Sequence, residues 1–193
     1  MKKIGLLGST GSIGVQTLDI IREMPNQFSV KYLSANNNVK LLVEQSKEFK
    51  PDMICIVNES YVEQTKQKLK NYNIEILHGI NGLNEISKFN NIDLALNAIV
   101  GSAGMRSTYN IVSSNIDLAL ANKESLVMAG KLIMDKVNKN KSNIFPVDSE
   151  HSAIWQCLVG ENIDEVEKII LTGSGGPFRK LPLSEFKNVT LND

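Results

Sequence analysis

Short apolar runs alternate with longer amphipathic stretches along nearly the whole chain. Apolar runs fall at residues 4–7, 30–33, 53–57, 74–77, 94–100, 116–121, 144–147 and 169–171. Between them, apolar positions recur at helical spacing near residues 12–24, 39–49, 59–70, 82–89, 104–114, 123–138 and 150–160. Runs of this length read as strands buried on both faces, and their alternation with helices predicts a doubly wound, mostly parallel, Rossmann-like α/β sheet. Polar stretches at 37–39 and 138–143 read as loops. The last run, 169–171, is followed by glycines and a polar tail, so a strand there would open a unit that the sequence does not complete. On this pattern residues 1–147 form an α/β domain. Residues 148–193 begin a second domain that is cut short, and the chain reads as a fragment.

Composition narrows the class of partner. The 193 residues carry 21 basic and 21 acidic side chains, which gives no basic surface for nucleic acid and no charge excess for an anionic membrane. No apolar run is long enough to span a bilayer, and Met1-Lys2-Lys3 is followed by too short a run for a signal peptide. A cytoplasmic protein acting on a small molecule is expected. Cys55 and Cys157 have neither metal-binding nor disulfide spacing, and both are expected to be core thiols.

The first junction between strand and helix carries Gly8-Ser9-Thr10-Gly11-Ser12-Ile13-Gly14. In that position glycines permit a tight turn and close backbone approach, and the following helix aims its N-terminus at a pyrophosphate. Thr10 and Ser12 add hydroxyl donors. A tight turn alone is the simpler reading, but its placement at the first junction favours dinucleotide binding. The second strand ends in Ser34-Ala35-Asn36-Asn37-Asn38, with Asn36 lying 22 positions after Gly14. NAD-selective sites usually place an acid there for the ribose 2′-hydroxyl. Amides in its place leave room for a 2′-phosphate, so NADP(H) is expected over NAD(H).

Two further features point to chemistry. Asp148-Ser149-Glu150 follows the run 144–147. Two neighbouring carboxylates resist joint ionisation unless a cation lies between them, and hard oxygen donors suit Mg²⁺ or Mn²⁺. The competing reading has Asp148 or Ser149 capping the next helix, with Glu150 complementing its positive end. Asn122-Lys123-Glu124 follows the run 116–121, with Asn122 placed as an N-cap. Lys123 then stands in a first turn, where the helix dipole disfavours a cation, so contact with an anionic or hydroxyl-bearing substrate is one account and simple solvation the other. Gly173-Ser174-Gly175-Gly176 is readable as an anion-binding nest or as a hinge. His151 reads as a capping or packing residue, Trp155 as core or interface, and His78 as surface.

Four segments in order, Gly8 to Gly14, Leu120-Ala121-Asn122-Lys123-Glu124-Ser125, Pro146-Val147-Asp148-Ser149-Glu150-His151-Ser152 and Leu171-Thr172-Gly173-Ser174-Gly175-Gly176-Pro177-Phe178, closely resemble the 1-deoxy-D-xylulose 5-phosphate reductoisomerase family. The resemblance runs from Met1 to about Phe186, and it implies that residues 1–147 are an NADPH-binding Rossmann-like domain and residues 148–193 the truncated start of an α+β connective or catalytic domain that binds metal and substrate. It implies an NADP-dependent oxidoreductase of isoprenoid biosynthesis that rearranges a ketose phosphate and reduces it to 2-C-methyl-D-erythritol 4-phosphate. By resemblance Thr10, Gly11, Ser12 and Ile13 contact the NADPH pyrophosphate, Asn36, Asn37 and Asn38 lie near the adenosine ribose, and Asn122 and Glu124 touch the cofactor elsewhere. Lys123, Ser149, Glu150 and Ser174 resemble substrate contacts, Lys123 and Glu150 catalytic groups, and Asp148 and Glu150 ligands of magnesium or manganese. The family continues with a His-Pro-Asn-Trp-type loop, a third metal carboxylate and a C-terminal helical domain, none of which is found before Asp193. The resemblance therefore implies a homodimeric full-length enzyme, and for this chain alone weak NADPH binding and negligible turnover. A non-catalytic NADP(H)-binding module is the alternative.

Overall fold

A computed structural model describes residues 1–171 and 176–190. The chain divides into two compact units, Met1–Ser152 and Ala153–Asp193.

The first unit is built on strands β1 (Lys2–Leu7), β2 (Phe28–Ala35), β3 (Met53–Ile56), β4 (Glu75–His78), β5 (Leu94–Asn97), β6 (Asp117–Leu120) and β7 (Ile144–Pro146). They form one sheet in the order β4-β3-β2-β1-β5-β6-β7, with every neighbouring pair parallel. Parallel neighbours require crossovers, which α1 (Ser12–Glu23), α2 (Val39–Phe49), α3 (Val62–Leu69), α4 (Gly79–Ile86), α5 (Met105–Ser113) and α6 (Glu124–Asn140) supply. The chain winds outward from β1 to β4, then returns to the other side of β1 with β5. The crevice between β1 and β5 is thus the switch point at which α/β sheets bind ligands.

Two apolar cores explain why the strand runs carry so few polar residues. One gathers Leu6, Leu18, Leu33, Leu42, Ile54 and Ile56; the other gathers Leu7, Tyr32, Cys55, Ile86, Ile111, Leu118 and Ile133. Leu6 and Leu7, adjacent in β1, belong to different cores because successive side chains of a strand face opposite ways.

Several boundaries differ from the sequence expectation. The apolar run 94–100 is strand only to Asn97; Ala98, Ile99 and Val100 leave the sheet. Helix α4 starts at Gly79, where φ is +66°, three residues before the expected position. Residues 138–140 are not loop but the last turn of α6, because Asn140 Nδ2 finds the carbonyls of Val112 (2.8 Å) and Ser113 (3.2 Å). Val39, where the expected loop 37–39 and the expected helix 39–49 overlap, is the first residue of α2.

Helix α7 (Ser149–Leu158) follows β7. The second unit otherwise contains short 3₁₀ turns at Ile163–Glu165, Gly176–Phe178 and Leu183–Asn188, with Phe178 and Phe186 in tilted contact at 6.3 Å. The expected strand at 169–171 does not form. No described segment pairs with it, and Ile169, Ile170 and Leu171 are all exposed, so apolarity here has no sheet to enter. Cys157 is exposed rather than a core thiol, and Trp155 is 43% exposed, because α7 buries none of its residues completely.

Candidate functional site

The glycine loop leaves β1 at the switch point. Gly8 has φ +81°, and a side chain there would press on the Ala98 carbonyl, 2.8 Å from an added Cβ. Gly14 is required by space: a Cβ would come within 2.4 Å of the Gly8 carbonyl oxygen. The loop closes on itself through Gly11 N–H to Gly8 O (3.1 Å), and α1 opens with Val15 N–H to Gly11 O (2.9 Å). Gly11 is the N-cap and has no side chain to cap the first turn. A first turn without a side-chain cap, with the helix dipole behind its amides, is suited to an anion.

Residues not singled out by sequence reasoning hold this loop in place. Buried Ser9 donates from Oγ to Gln45 Oε1 (2.8 Å), and Gln45 Nε2 returns a bond to the Ser9 carbonyl (2.9 Å). Ser34 Oγ accepts from Gly8 N–H at 3.1 Å, and the Ser34 carbonyl accepts from Ser9 N–H at 2.9 Å. The signal was faint: Gln45 is a polar residue on the buried face of an otherwise amphipathic helix.

Next to the loop, a cavity of about 510 Å³ is lined by Gly8, Thr10, Ser34, Asn36 and the apolar residues Val57, Ile80, Leu83, Ile99 and Val100. A mostly apolar cavity with a few polar groups among its lining suits a nucleoside. At its rim the three asparagines differ in role. Asn38 caps α2, its Oδ1 accepting from Leu41 N–H (3.2 Å), and Asn37 Oδ1 accepts from Asn58 Nδ2 (2.8 Å). Asn36 is exposed and lines the cavity itself.

The segment after β6 presents Lys123. Asn122 is buried, and its Oδ1 accepts from Ser125 N–H (3.0 Å), as an N-capping residue does. Its Nδ2 donates to the carbonyls of Ile99 (2.5 Å) and Gly101 (2.8 Å), so this side chain is spent inside the protein. Glu124 is half-buried at the start of α6. Lys123 reaches across to the end of β7, where Nζ lies 2.8 Å from Asp148 Oδ2. His151 Nδ1 approaches the other oxygen of Asp148 at 3.2 Å. The hydrogen-bonded Lys123 ammonium holds the Asp148 carboxyl below the usual carboxylate range, and the same bond holds Lys123 above the usual lysine range.

Asp148, Ser149 and Glu150 also line a recess of about 220 Å³ together with Ile13, Ala121 and Val147. The glycine loop and the carboxylate pair, more than 130 positions apart in sequence, thus share one small recess. Among the described residues no group of three or more His, Cys, Asp or Glu side chains stands ready to enclose a metal ion. Asp148 and Glu150 offer hard oxygen donors, a set that fits Mg²⁺ or Mn²⁺ with the shell completed by water and substrate. Ser174 lies outside the described residues.

No helix among the described residues is long and apolar enough to cross a membrane. Residues 4–130 match the profile of 1-deoxy-D-xylulose 5-phosphate reductoisomerase, and residues 144–193 match that of its C-terminal domain. The chain is 46% identical over 189 residues to the reductoisomerase of Chlorobaculum tepidum, covering 98% of this chain and 50% of that protein. It is 48% identical over 193 residues to that of Chloroherpeton thalassium, covering 100% of this chain and 50% of that protein. Among solved structures, the Zymomonas mobilis enzyme in complex with NADPH superposes with a TM-score of 0.90 at 40% identity, covering 98% of this chain and 50% of that one. A reductoisomerase in complex with NADPH, fosmidomycin and magnesium gives 0.87 at 35% identity, covering 100% of this chain and 50% of that one. The chain spans about half the length of the curated relatives it matches. With sequence profiles along most of its length and a shared fold behind them, the chain belongs to the 1-deoxy-D-xylulose 5-phosphate reductoisomerase family.

Proposed function

We propose that this chain supplies the NADPH-binding half and the first metal and substrate ligands of a 1-deoxy-D-xylulose 5-phosphate reductoisomerase. The observation that carries the reading is the recess in which Ile13 of the glycine loop meets Asp148, Ser149 and Glu150. A dinucleotide site beside paired carboxylates suits a reaction that combines hydride transfer with metal-assisted work on vicinal oxygens. When bound, NADPH supplies the hydride, and the divalent ion supplies Lewis acidity and a template for the substrate's oxygens.

The chain's own residues then have separable tasks. The amides of Ser12 and Ile13, with the Thr10 hydroxyl, bind pyrophosphate, and Gly11, whose own N–H is donated to Gly8 O, lets the backbone approach it. Asn36, Asn37 and Asn38 border the adenosine ribose, with Asn36 nearest the cavity and the other two shaping the turn. Glu124 and the backbone at Asn122 border the cofactor on the β6 side. Asp148 and Glu150 ligate the metal, while Lys123 and Ser149 contact the sugar phosphate, joined by Ser174. Lys123 is hydrogen-bonded to Asp148 in this structure, so metal and substrate would enter by drawing the two apart. The residues 1–147 constitute the nucleotide domain of this scheme, and residues from 148 onward open the catalytic domain of a homodimer.

Titration of the chain with NADPH and NADH, read by nicotinamide fluorescence, tests the reading. NADPH should bind at least tenfold more tightly, and Mn²⁺ should perturb a wild-type chain but not Asp148→Asn. Equal affinity for the two nucleotides would sink the NADP assignment. Metal-dependent NADPH oxidation with the ketose phosphate is expected of a protein of the relatives' full length and not of this chain alone.

A further inference from the structure

Asn97, Thr108, Ser125 and Asn122 are all buried, and they come from β5, α5, α6 and the turn before α6. Asn97 Nδ2 lies 2.8 Å from Thr108 Oγ1, and Thr108 Oγ1 lies 2.9 Å from Ser125 Oγ. Ser125 Oγ bonds Asn122 Oδ1. An amide oxygen can only accept, so the Ser125 hydroxyl must donate to Asn122, which obliges Thr108 to donate to Ser125 and to accept from Asn97. Reversing the Asn122 amide would face its oxygen to two carbonyls and its NH₂ to a donor, so the direction of the whole chain is fixed.

The chain closes on one residue. Ile99 N–H donates to Asn97 Oδ1 (3.2 Å), and the Ile99 carbonyl accepts from Asn122 Nδ2 (2.5 Å). Asn97 and Asn122 also hold the carbonyls of Gly104 (2.9 Å) and Gly101 (2.8 Å). Gly104 leaves the space this needs, since a Cβ there would lie 2.8 Å from Asn122 Cγ. Loops usually gain their polar partners from water, whereas this one is bonded from beneath by a closed ring of buried side chains. Its upper side, Ile99 and Val100, faces the cavity beside Gly8.

Resting on the NADPH reading above, we propose that the ring Asn97–Thr108–Ser125–Asn122 is a positioning device for the nucleoside cavity: it fixes the loop whose Ile99 and Val100 form part of that cavity's wall. The loop it holds follows β5, and across the switch point it shares this cavity with Gly8 and with Asn36 at the end of β2. A nucleoside whose ribose lies at Asn36 therefore packs against this loop. The same ring anchors the turn that presents Lys123, so cofactor wall and substrate-facing lysine share one support.

Thr108→Val keeps the shape and removes the hub's hydroxyl. Affinities for NADPH and for adenosine 2′,5′-bisphosphate should each fall about tenfold, the scale of an unpaired buried polar group, while reduced nicotinamide mononucleotide, which lacks the adenosine half, should change less than about twofold. Thr108→Ser should restore NADPH binding. Ser125→Ala breaks the next link and should give the same split, which covers the case in which Thr108→Val does not fold. Equal losses for adenosine 2′,5′-bisphosphate and the mononucleotide, or no loss of NADPH affinity, would overturn the proposal. Failure of the wild-type chain to bind NADPH or adenosine 2′,5′-bisphosphate would instead overturn the nucleotide reading on which it rests.

Discussion

Lys123 Nζ stands 2.8 Å from Asp148 Oδ2, closing the gap between the ends of β6 and β7. The bond joins two charged residues of the proposed site, and it shifts their titrations in opposite directions, Asp148 downward and Lys123 upward. Asp148 is held below its ordinary value mainly by the Lys123 hydrogen bond, with burial opposing and His151 assisting. The pair is therefore intact above the ordinary aspartate value of about 3.9 and is lost as pH falls through the lowered one.

Removing the ammonium in Lys123→Met should move the carboxyl resonance midpoint of Asp148 upward in a ¹³C titration. Mn²⁺, no longer competing with a bound cation, should bind about twofold to fivefold more tightly, the scale of an exposed ion pair. Paramagnetic titration of free Mn²⁺ measures the second effect. An unchanged Asp148 midpoint would show that the contact has no electrostatic weight in solution.

The sheet was legible because a strand buried on both faces must be apolar throughout, and a parallel sheet needs a helix between strands. The same rule misled at 94–100, where an apolar run continued past the strand because Ile99 and Val100 line a cavity. It misled again at 169–171, where apolar residues pair with no described strand. The glycine loop, Lys123 and the carboxylates stood out because each breaks a local preference of its element. Asn97, Thr108 and Ser125 did not, since nothing in their local sequence shows that three elements bring them within hydrogen-bond distance. Local chemistry is written in the sequence; closure of a buried polar ring appears only after folding.

The asparagines at the end of β2 make a charge test possible. Asn36 borders the cavity, while Asn37 and Asn38 are engaged with Asn58 and the first turn of α2. A carboxylate introduced by Asn36→Asp would repel a 2′-phosphate and accept from an unmodified 2′-hydroxyl. NADPH affinity should fall by about tenfold or more, and NADH should gain. Competitive fluorescence titration of the two nucleotides decides it: an unchanged ratio would place the 2′-phosphate elsewhere.

The two thiols should differ sharply in reactivity. Burial, with a smaller contribution from Glu85, pushes the Cys55 thiol up to about 12. At pH 8 about one part in ten thousand of such a group is thiolate, the reactive form. Cys157 is exposed. Iodoacetamide on the folded chain should therefore add one carbamidomethyl group, at Cys157, and a second only in denaturant. Peptide mass spectrometry showing early modification of Cys55 would mean that the core around β3 opens readily.

Gly14 and Gly11 separate packing from ligand contact within a single loop. A Cβ at Gly14 would come within 2.6 Å of Ser9 Cα and closer still to the Gly8 carbonyl, and both obstacles are backbone. Helix α1 would have to retreat from the turn. Gly14→Ala should therefore cost about 1–3 kcal/mol, as overpacking does, and lower the melting midpoint by about 2–4 °C for each kcal/mol. At Gly11 the nearest obstacle is the Gly8 carbonyl at 3.4 Å, an ordinary contact, and φ is −80°. Gly11→Ala should lose less than about 1 kcal/mol, the cost of a poorer N-cap. Its methyl group would nevertheless stand where the backbone must approach the pyrophosphate, so NADPH binding should weaken with little change in melting. Parallel melting curves and NADPH titrations of the two variants test this division, which fails if Gly11→Ala melts as low as Gly14→Ala or binds NADPH like the wild type.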